Sequence, residues 1–212
     1  LIRLAPVPGG AALPGEAADS LRAGGLVIYP TDTLYGMGVD PRSEAALGRL
    51  VRVKGRDEGK PIPLLLADAG CAAAWAAGVP DAAARLMERF WPGALTIVLP
   101  AAAGALPAIT AGSGTVGLRV TAHPVARALA AAIGGAVTGT SANRSGEPGL
   151  WRGAEELQAE FANEADWLLW DAPVASALPS TVVSVSPDGA LRFIREGAIP
   201  FAAIDEYLTR GK

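Results

Sequence analysis

The chain has 212 residues, half of them apolar and only 18% charged, so it is long enough to bury a good core and falls among compact soluble proteins. Its 26 glycines and 17 prolines stay below the share, roughly 25–30%, that marks low-complexity chains, and they read as turns. A net charge of −3 weighs against a surface built wholly for nucleic acid, and the single cysteine, Cys71, excludes a disulfide framework or a cysteine zinc site.

In chain order, 14–23 reads as a helix stopped by Gly24-Gly25, and 26–30 as a buried strand. Residues 31–41 read as a Gly-rich polar loop. Ser43 caps a helix to about Val53, with Leu47, Leu50 and Val51 on one face. A strand over 62–67 tolerates Pro63 near its start. Helices follow over 70–77 and 81–90, the second capped by Asp81. Strands over 94–99 and 116–120 precede a helix over 124–133 with Pro124 in its first turn. A short strand over 136–140, a helix over 154–161, strands over 167–170, 181–185 and 191–194, and a helix over 201–209 complete the chain. Strands and helices interleave, yet several strands are adjacent. The pattern therefore predicts an α/β (α+β) fold with an open mixed sheet flanked by helices, in one domain over 1–212 with its core at about 14–200. The longest apolar stretch, 125–137, is too short to span a bilayer, and no export signal is visible at 1–6. With Cys71 alone, this predicts a cytoplasmic location and no membrane partner.

Three familiar motifs fail on context. Gly112-Ser113-Gly114-Thr115-Val116-Gly117 spells a dinucleotide fingerprint but runs into a strand rather than opening a helix. The run 55–61 imitates a phosphate loop but is one residue short and ends on Pro61, where a hydroxyl would hold Mg²⁺. The only histidine, His123, stands directly before Pro124, which favours a structural hydrogen bond over a triad base.

What remains is polar, Gly-rich and placed at strand ends: 30–36 (PTDTLYG), 54–56 (KGR), 138–146 (TGTSANRSG) and 179–183 (PSTVV). Each alone is explained by turns, by cations at a helix C-terminus or by a strand start. Together, hydroxyls, amides and guanidinium groups outside strand ends describe a pocket for a polyanion. Arg49, Arg52, Lys54, Arg56 and Lys60 add a local excess of positive charge.

These segments, with FWPGALTIVLP, TVGLRV followed by HP, and IREGAI, resemble in order the YrdC-like family of threonylcarbamoyl-AMP synthases, the TsaC type, from about Gly24 to Ile199. The resemblance implies a twisted open sheet with a concave ligand surface. It also implies the formation of threonylcarbamoyl-AMP and pyrophosphate from L-threonine, bicarbonate or CO₂, and ATP, for a tRNA modification completed by partner proteins. No protein nucleophile is needed, so catalysis rests on positioning and charge stabilisation. By this resemblance Lys54 and Arg56 are the catalytic residues and hold ATP phosphates, with Lys60 and Arg195. Thr115, Ser141 and Asn143 contact the nucleotide. Thr31, Thr33, Tyr35, Arg119, Gly139 and Ser180 surround the threonine, Arg119 as a fork to its carboxylate. Mg²⁺ is bound through phosphates, with no metal cage in the protein. The chain departs from the family at 147–151 (EPGLW), at Pro179 in place of a glutamate, and at Leu65 in place of a histidine. Two alternatives stay open: a paralogue with another carbamoyl or adenylate substrate, and a module for double-stranded RNA using the basic stretch 49–60, with RNA contact as a secondary property of the enzyme.

Overall fold

A computed structural model of the protein describes residues 2–10, 12–55, 59–147, 149–173 and 178–210. The apolar run before Pro30 forms β2 (Val27–Tyr29), buried on both faces. It lies parallel to β9 (Trp167–Trp170) and antiparallel to β3 (Gly36–Gly38). Strand β3 lies in the stretch expected to be loop. Its glycines invite that reading, but they are what allow the strand: a Cβ on Gly36 would come within 2.5 Å of the Tyr29 ring, so only a bare backbone pairs there. Strand β1 (Arg3–Pro6), also unanticipated, adds parallel to β9, and β8 (Thr140–Ser141) pairs with β3, giving the order β1-β9-β2-β3-β8.

The remaining strands form a second mixed sheet. They are β4 (Leu64–Leu66), β5 (Leu95–Pro100), β6 (Thr115–Arg119), β7 (Ala136–Thr138), β10 (Thr181–Val185) and β11 (Leu191–Arg195), in the order β11-β10-β5-β6-β4-β7. The single mixed sheet expected from the sequence is therefore divided in two. The strand expected over 136–140 is the junction: it breaks at Gly139, with β7 in one sheet and β8 in the other. A Cβ on Gly139 would stand 2.7 Å from the Leu65 side chain, and its amide bonds the Pro63 carbonyl at 2.7 Å, so the chain crosses between sheets where only glycine fits.

The helices are α1 (Gly15–Arg22), α2 (Glu44–Lys54), α3 (Asp81–Phe90), α4 (Pro107–Thr110), α5 (Pro124–Ala132), α6 (Ala154–Phe161) and α7 (Phe201–Arg210). Ser43 caps α2 as its sequence predicts, accepting from the Ala46 amide at 3.2 Å, and Gly55 ends it in the left-handed region at φ 56°. Asp81 does not cap α3. Pro80 holds that position, and Asp81 is the first helical residue, where its charge suits the helix dipole. The helix expected over 70–77 is a 3-10 segment over Ala69–Ala74, started by Asp68 accepting from the Cys71 amide. The short α4 carries too little periodicity to be read from sequence. His123 caps α5 through Nδ1 and faces Asp171 through Nε2 at 3.1 Å, the structural role expected of it. The dinucleotide-like run opens β6, not a helix. Among the described residues no helix is long and apolar enough to cross a membrane.

Period-2 alternation in the second sheet sends Ile97, Leu99, Val116, Leu118, Leu64, Leu66 and Val183 into the larger buried cluster, shared with α2, α3 and α6. Their alternates, Thr96, Val98, Gly117, Arg119, Leu65 and Val182, point to the opposite face. The register aligns these alternates across strands: Arg195 pairs with Val182, Val182 with Thr96, Val98 with Gly117 and Leu65 with Arg119. That face is the floor of the site.

Candidate active site

A cavity of about 470 Å³ lies on this face, walled by the 31–36 segment, Pro61, Pro63, Ser113, 139–141 and 179–180. Eight threonines and serines line it, together with apolar surface from Leu34, Leu65, Val98, Val182 and Ile194. Arg119 and Arg195 are its only charged lining residues among the described residues, so the cavity presents positive charge.

Arg119 is 5% exposed and clamped from three sides. Its Nε donates to the Gly93 carbonyl at 2.9 Å, Nη1 to the Thr33 hydroxyl at 3.0 Å and Nη2 to Asp32 Oδ1 at 2.6 Å. Thr121 donates to the same Asp32 oxygen. Burial pushes the Arg119 guanidinium below its ordinary range, and Asp32 opposes that loss. Of the five N–H groups on a guanidinium, three are spent on the protein. Arg195 donates to the Ser180 carbonyl at 2.9 Å, and burial lowers it too. The like charge of Arg195 adds a smaller lowering to Arg119.

The structure brings together on the cavity wall Thr31, Thr33, Tyr35, Thr115, Arg119, Gly139, Ser141, Ser180 and Arg195, nine of the residues expected from sequence. Tyr35 takes part without its hydroxyl, which donates to the Ala172 carbonyl and accepts from the Asp171 amide while the ring stacks on Trp170 at 4.9 Å. Burial raises this phenol to about 12. Three expected residues are not on the wall. Lys54 is 4% exposed, and its Nζ donates to the Ser141 carbonyl at 2.6 Å, to the Asn143 carbonyl and to Asn143 Oδ1 at 3.3 Å. The Asn143 amide closes its own turn, with Nδ2 bonded to the Arg144 and Glu147 carbonyls. Lys60 is exposed beside the lining residue Pro61. Arg56 lies outside the described residues.

Of the other cations in 49–60, Arg49 is bound to Asp166 and the Glu164 carbonyl, while Arg52 is exposed. The basic stretch is thus partly consumed inside the fold. Trp151, within the divergent 147–151 segment, donates to the Ala142 carbonyl at 2.7 Å and packs edge-on against Phe161, away from the cavity wall. Pro179 and Leu65, the other two departures, both line the cavity. Sequence reasoning missed Thr96 and Ser113 on the wall and gave Thr140, inside the 138–146 segment, no role of its own. Thr96 left a signal, a hydroxyl at one alternate of the strand Leu95-Thr96-Ile97-Val98, where the pattern otherwise demands apolar residues.

A family profile described as telomere recombination, covering Sua5, YciO and YrdC proteins, matches residues 19–197. The threonylcarbamoyl-AMP synthase of Alkalilimnicola ehrlichii is 40% identical over 184 residues, 87% of this chain and 92% of that protein. That of Thiobacillus denitrificans is 49% identical over 128 residues, 59% of this chain and 67% of that protein. Among solved structures, P. abyssi Sua5 complexed with L-threonine superposes with a TM-score of 0.89 at 28% identity, covering 97% of this chain. This chain spans 61% of that Sua5 chain. With the profile matched over most of its length and relatives of this likeness, the chain belongs to the Sua5/YciO/YrdC family.

Proposed function

We propose that this protein is a threonylcarbamoyl-AMP synthase. The observation that carries the reading is the cavity itself: two guanidinium groups, eight hydroxyls and, among the described residues, no lining carboxylate, in a chain similar to synthases over most of its length. The amine of L-threonine adds to CO₂ with loss of a proton, or condenses with bicarbonate with loss of water, to give a carbamate. A carbamate oxygen then attacks the α-phosphate of ATP, the bond to the β-phosphate oxygen breaks, and pyrophosphate leaves with the electron pair.

In this reading Arg119 offers its two unspent N–H groups to the threonine carboxylate, oriented by Asp32, Thr33 and Gly93. Thr33, Gly139 and Ser180 enclose the amino acid. Arg195 stabilises charge on the phosphates, and Thr115 and Ser141 bond the nucleotide. Lys60, exposed beside Pro61, extends the phosphate site toward solvent, and by the family resemblance Arg56, outside the described residues, holds ATP phosphates as well. Lys54 acts one step removed, because its amine ties the Ser141 and Asn143 carbonyls and so sets the loop that presents Ser141. Among the described residues no group of three or more His, Cys, Asp or Glu is placed to hold a metal, and the lining bears no carboxylate. Mg²⁺ accompanying ATP would be held through the phosphates, as the family resemblance implies. The product passes to partner proteins that modify tRNA.

Pyrophosphate release from ATP, measured with and without L-threonine and bicarbonate, tests this. The expected result is release that requires all three substrates. Lys54→Ala should lower it by roughly 10–100-fold, the equivalent of one charge-assisted hydrogen bond, in a protein that stays folded. Release that ignores threonine would overturn the reading.

A further inference from the structure

Six of the eight hydroxyl protons on the cavity wall can be followed one by one, since each serine or threonine has a single proton to donate. Three hydroxyl pairs line the cavity. In the first, Thr31 donates to the Leu34 carbonyl at 2.6 Å, which leaves Thr33 to donate to Thr31 at 3.1 Å while accepting from Arg119. In the second, Ser113 donates to the Thr110 carbonyl at 2.6 Å, and Thr115 donates to Ser113 at 2.9 Å. Both of these pairs have spent both protons on the protein.

The third pair differs. Thr96 Oγ1 and Ser180 Oγ lie 2.9 Å apart, and neither hydroxyl has another partner among the described residues. One proton joins the two, and the second has no acceptor among the described residues. The residues are only 6% and 9% exposed, so this donor is aimed at whatever fills the cavity. A ligand that displaces water from this wall must accept that proton or leave it unpaired at a cost, so the pair favours a ligand oxygen. The pair also keeps free lone pairs, so it suits a group that both gives and takes a proton. A hydroxyl does so; a carboxylate only accepts.

Position narrows the choice further. Leu118 pairs with Ile97, which places Arg119 beside Thr96 across β5 and β6, with side chains on the same face. Cross-strand neighbours of this kind have Cβ atoms roughly 5 Å apart, so Arg119 and the hydroxyl pair share one stretch of the floor. The Thr96 methyl has a defined place as well: a Cβ added to Gly117 would meet it at 3.3 Å, so it lies over the bare Gly117 backbone in the floor.

We propose that Thr96 is a specificity-determining residue of this site: with Ser180 it reads the side-chain hydroxyl of the amino-acid substrate, and its methyl seats the substrate methyl. The inference rests on the synthase reading above for the identity of that substrate. Thr96→Val keeps the shape and removes the hydroxyl, while Thr96→Ser keeps the hydroxyl and removes the methyl. Pyrophosphate release with L-threonine, L-serine and L-valine gives kcat/KM for each. In Thr96→Val the threonine-over-valine ratio should fall by about tenfold or more, through the KM for threonine, with the KM for ATP unchanged. Thr96→Ser should keep that ratio and lose most of the preference for threonine over serine. A threonine-over-valine ratio in Thr96→Val equal to wild type overturns the proposal. Should that variant fail to fold, an unchanged threonine-over-serine preference in Thr96→Ser overturns it instead. Calorimetric titration of wild type and variants with L-threonine and L-valine, without ATP, separates the two readings. If wild type shows no threonine-dependent pyrophosphate release, the synthase reading falls. The titration then still decides Thr96, because weaker L-threonine binding in Thr96→Val supports its role and equal binding overturns it.

Discussion

Asp32→Ala removes the carboxylate that accompanies the buried Arg119 guanidinium, and it should be the most damaging single truncation near the cavity. The Arg119 side chain is 6% exposed and that of Asp32 is 20% exposed, so the pair is largely out of water. Breaking such a pair from one side leaves an uncompensated charge, which costs roughly 3–5 kcal/mol when burial is complete. Water can reach the emptied Asp32 position because that side chain is a fifth exposed, which sets the expected loss near the lower end, about 3 kcal/mol. For a chain of this length that corresponds to a fall in Tm of about 6–12 °C. Asp32→Asn keeps an oxygen for Arg119 and Thr121 and loses only the charge, so its cost should be smaller, about 1–2 kcal/mol. Removing both partners in Asp32→Ala/Arg119→Met should cost less than the sum of the single changes, because no unpaired charge is left behind. Denaturant unfolding of wild type, Asp32→Ala, Asp32→Asn, Arg119→Met and the double variant at neutral pH measures this directly. Asp32→Ala within about 0.5 kcal/mol of wild type, the scatter of ordinary surface changes, would refute the claim that Arg119 depends on Asp32.

Two further predictions concern polar groups already bonded within the fold. Trp151→Phe deletes the bond to the Ala142 carbonyl and should cost about 1 kcal/mol of stability with no change in the KM for ATP, since Trp151 packs on Phe161 away from the cavity wall; a changed KM with unchanged stability would show that it covers the nucleotide. Burial holds the Tyr35 phenol neutral to about 12, whereas in the unfolded chain it ionises near 10.0. Its contribution to stability is therefore complete below about pH 10 and drains away between about pH 10 and 12, by at most about 2–3 kcal/mol. Tyr35→Phe should be less stable than wild type at about pH 9, and the gap should narrow at about pH 11; parallel stability curves would contradict this.

Much of the site is legible in the amino-acid sequence. The clusters around Thr33, Ser141 and Ser180 have no apolar period to satisfy, so their hydroxyls stand out as unspent, and they converge on one wall of the cavity. Arg119 is legible for a related reason: a charge inside the strand expected over 116–120 contradicts the local pattern and requires a partner. What the local pattern does not supply is the partner itself. Asp32 lies 87 residues away, in the loop after β2 of one sheet, and reaches Arg119 on β6 of the other only in the folded chain.

The amino-acid sequence by itself determined the helices and strands whose periods and caps are complete within a few residues, as at Ser43 and in the alternation of β5 and β6. It also determined the set of polar loops that the fold leaves at strand ends, because those are properties of neighbours along the chain. Tertiary structure alone decided three things. It made Gly36–Gly38 a strand, since the Tyr29 ring fills the space that side chains would take. It turned Lys54 from a cation at a helix end into the tie of the 141–143 loop, since two carbonyls 87 and 89 residues away reach its amine. And it singled out Thr96 with Ser180 as the wall pair with a proton left to give, because donors and acceptors can be balanced only once every partner is in place.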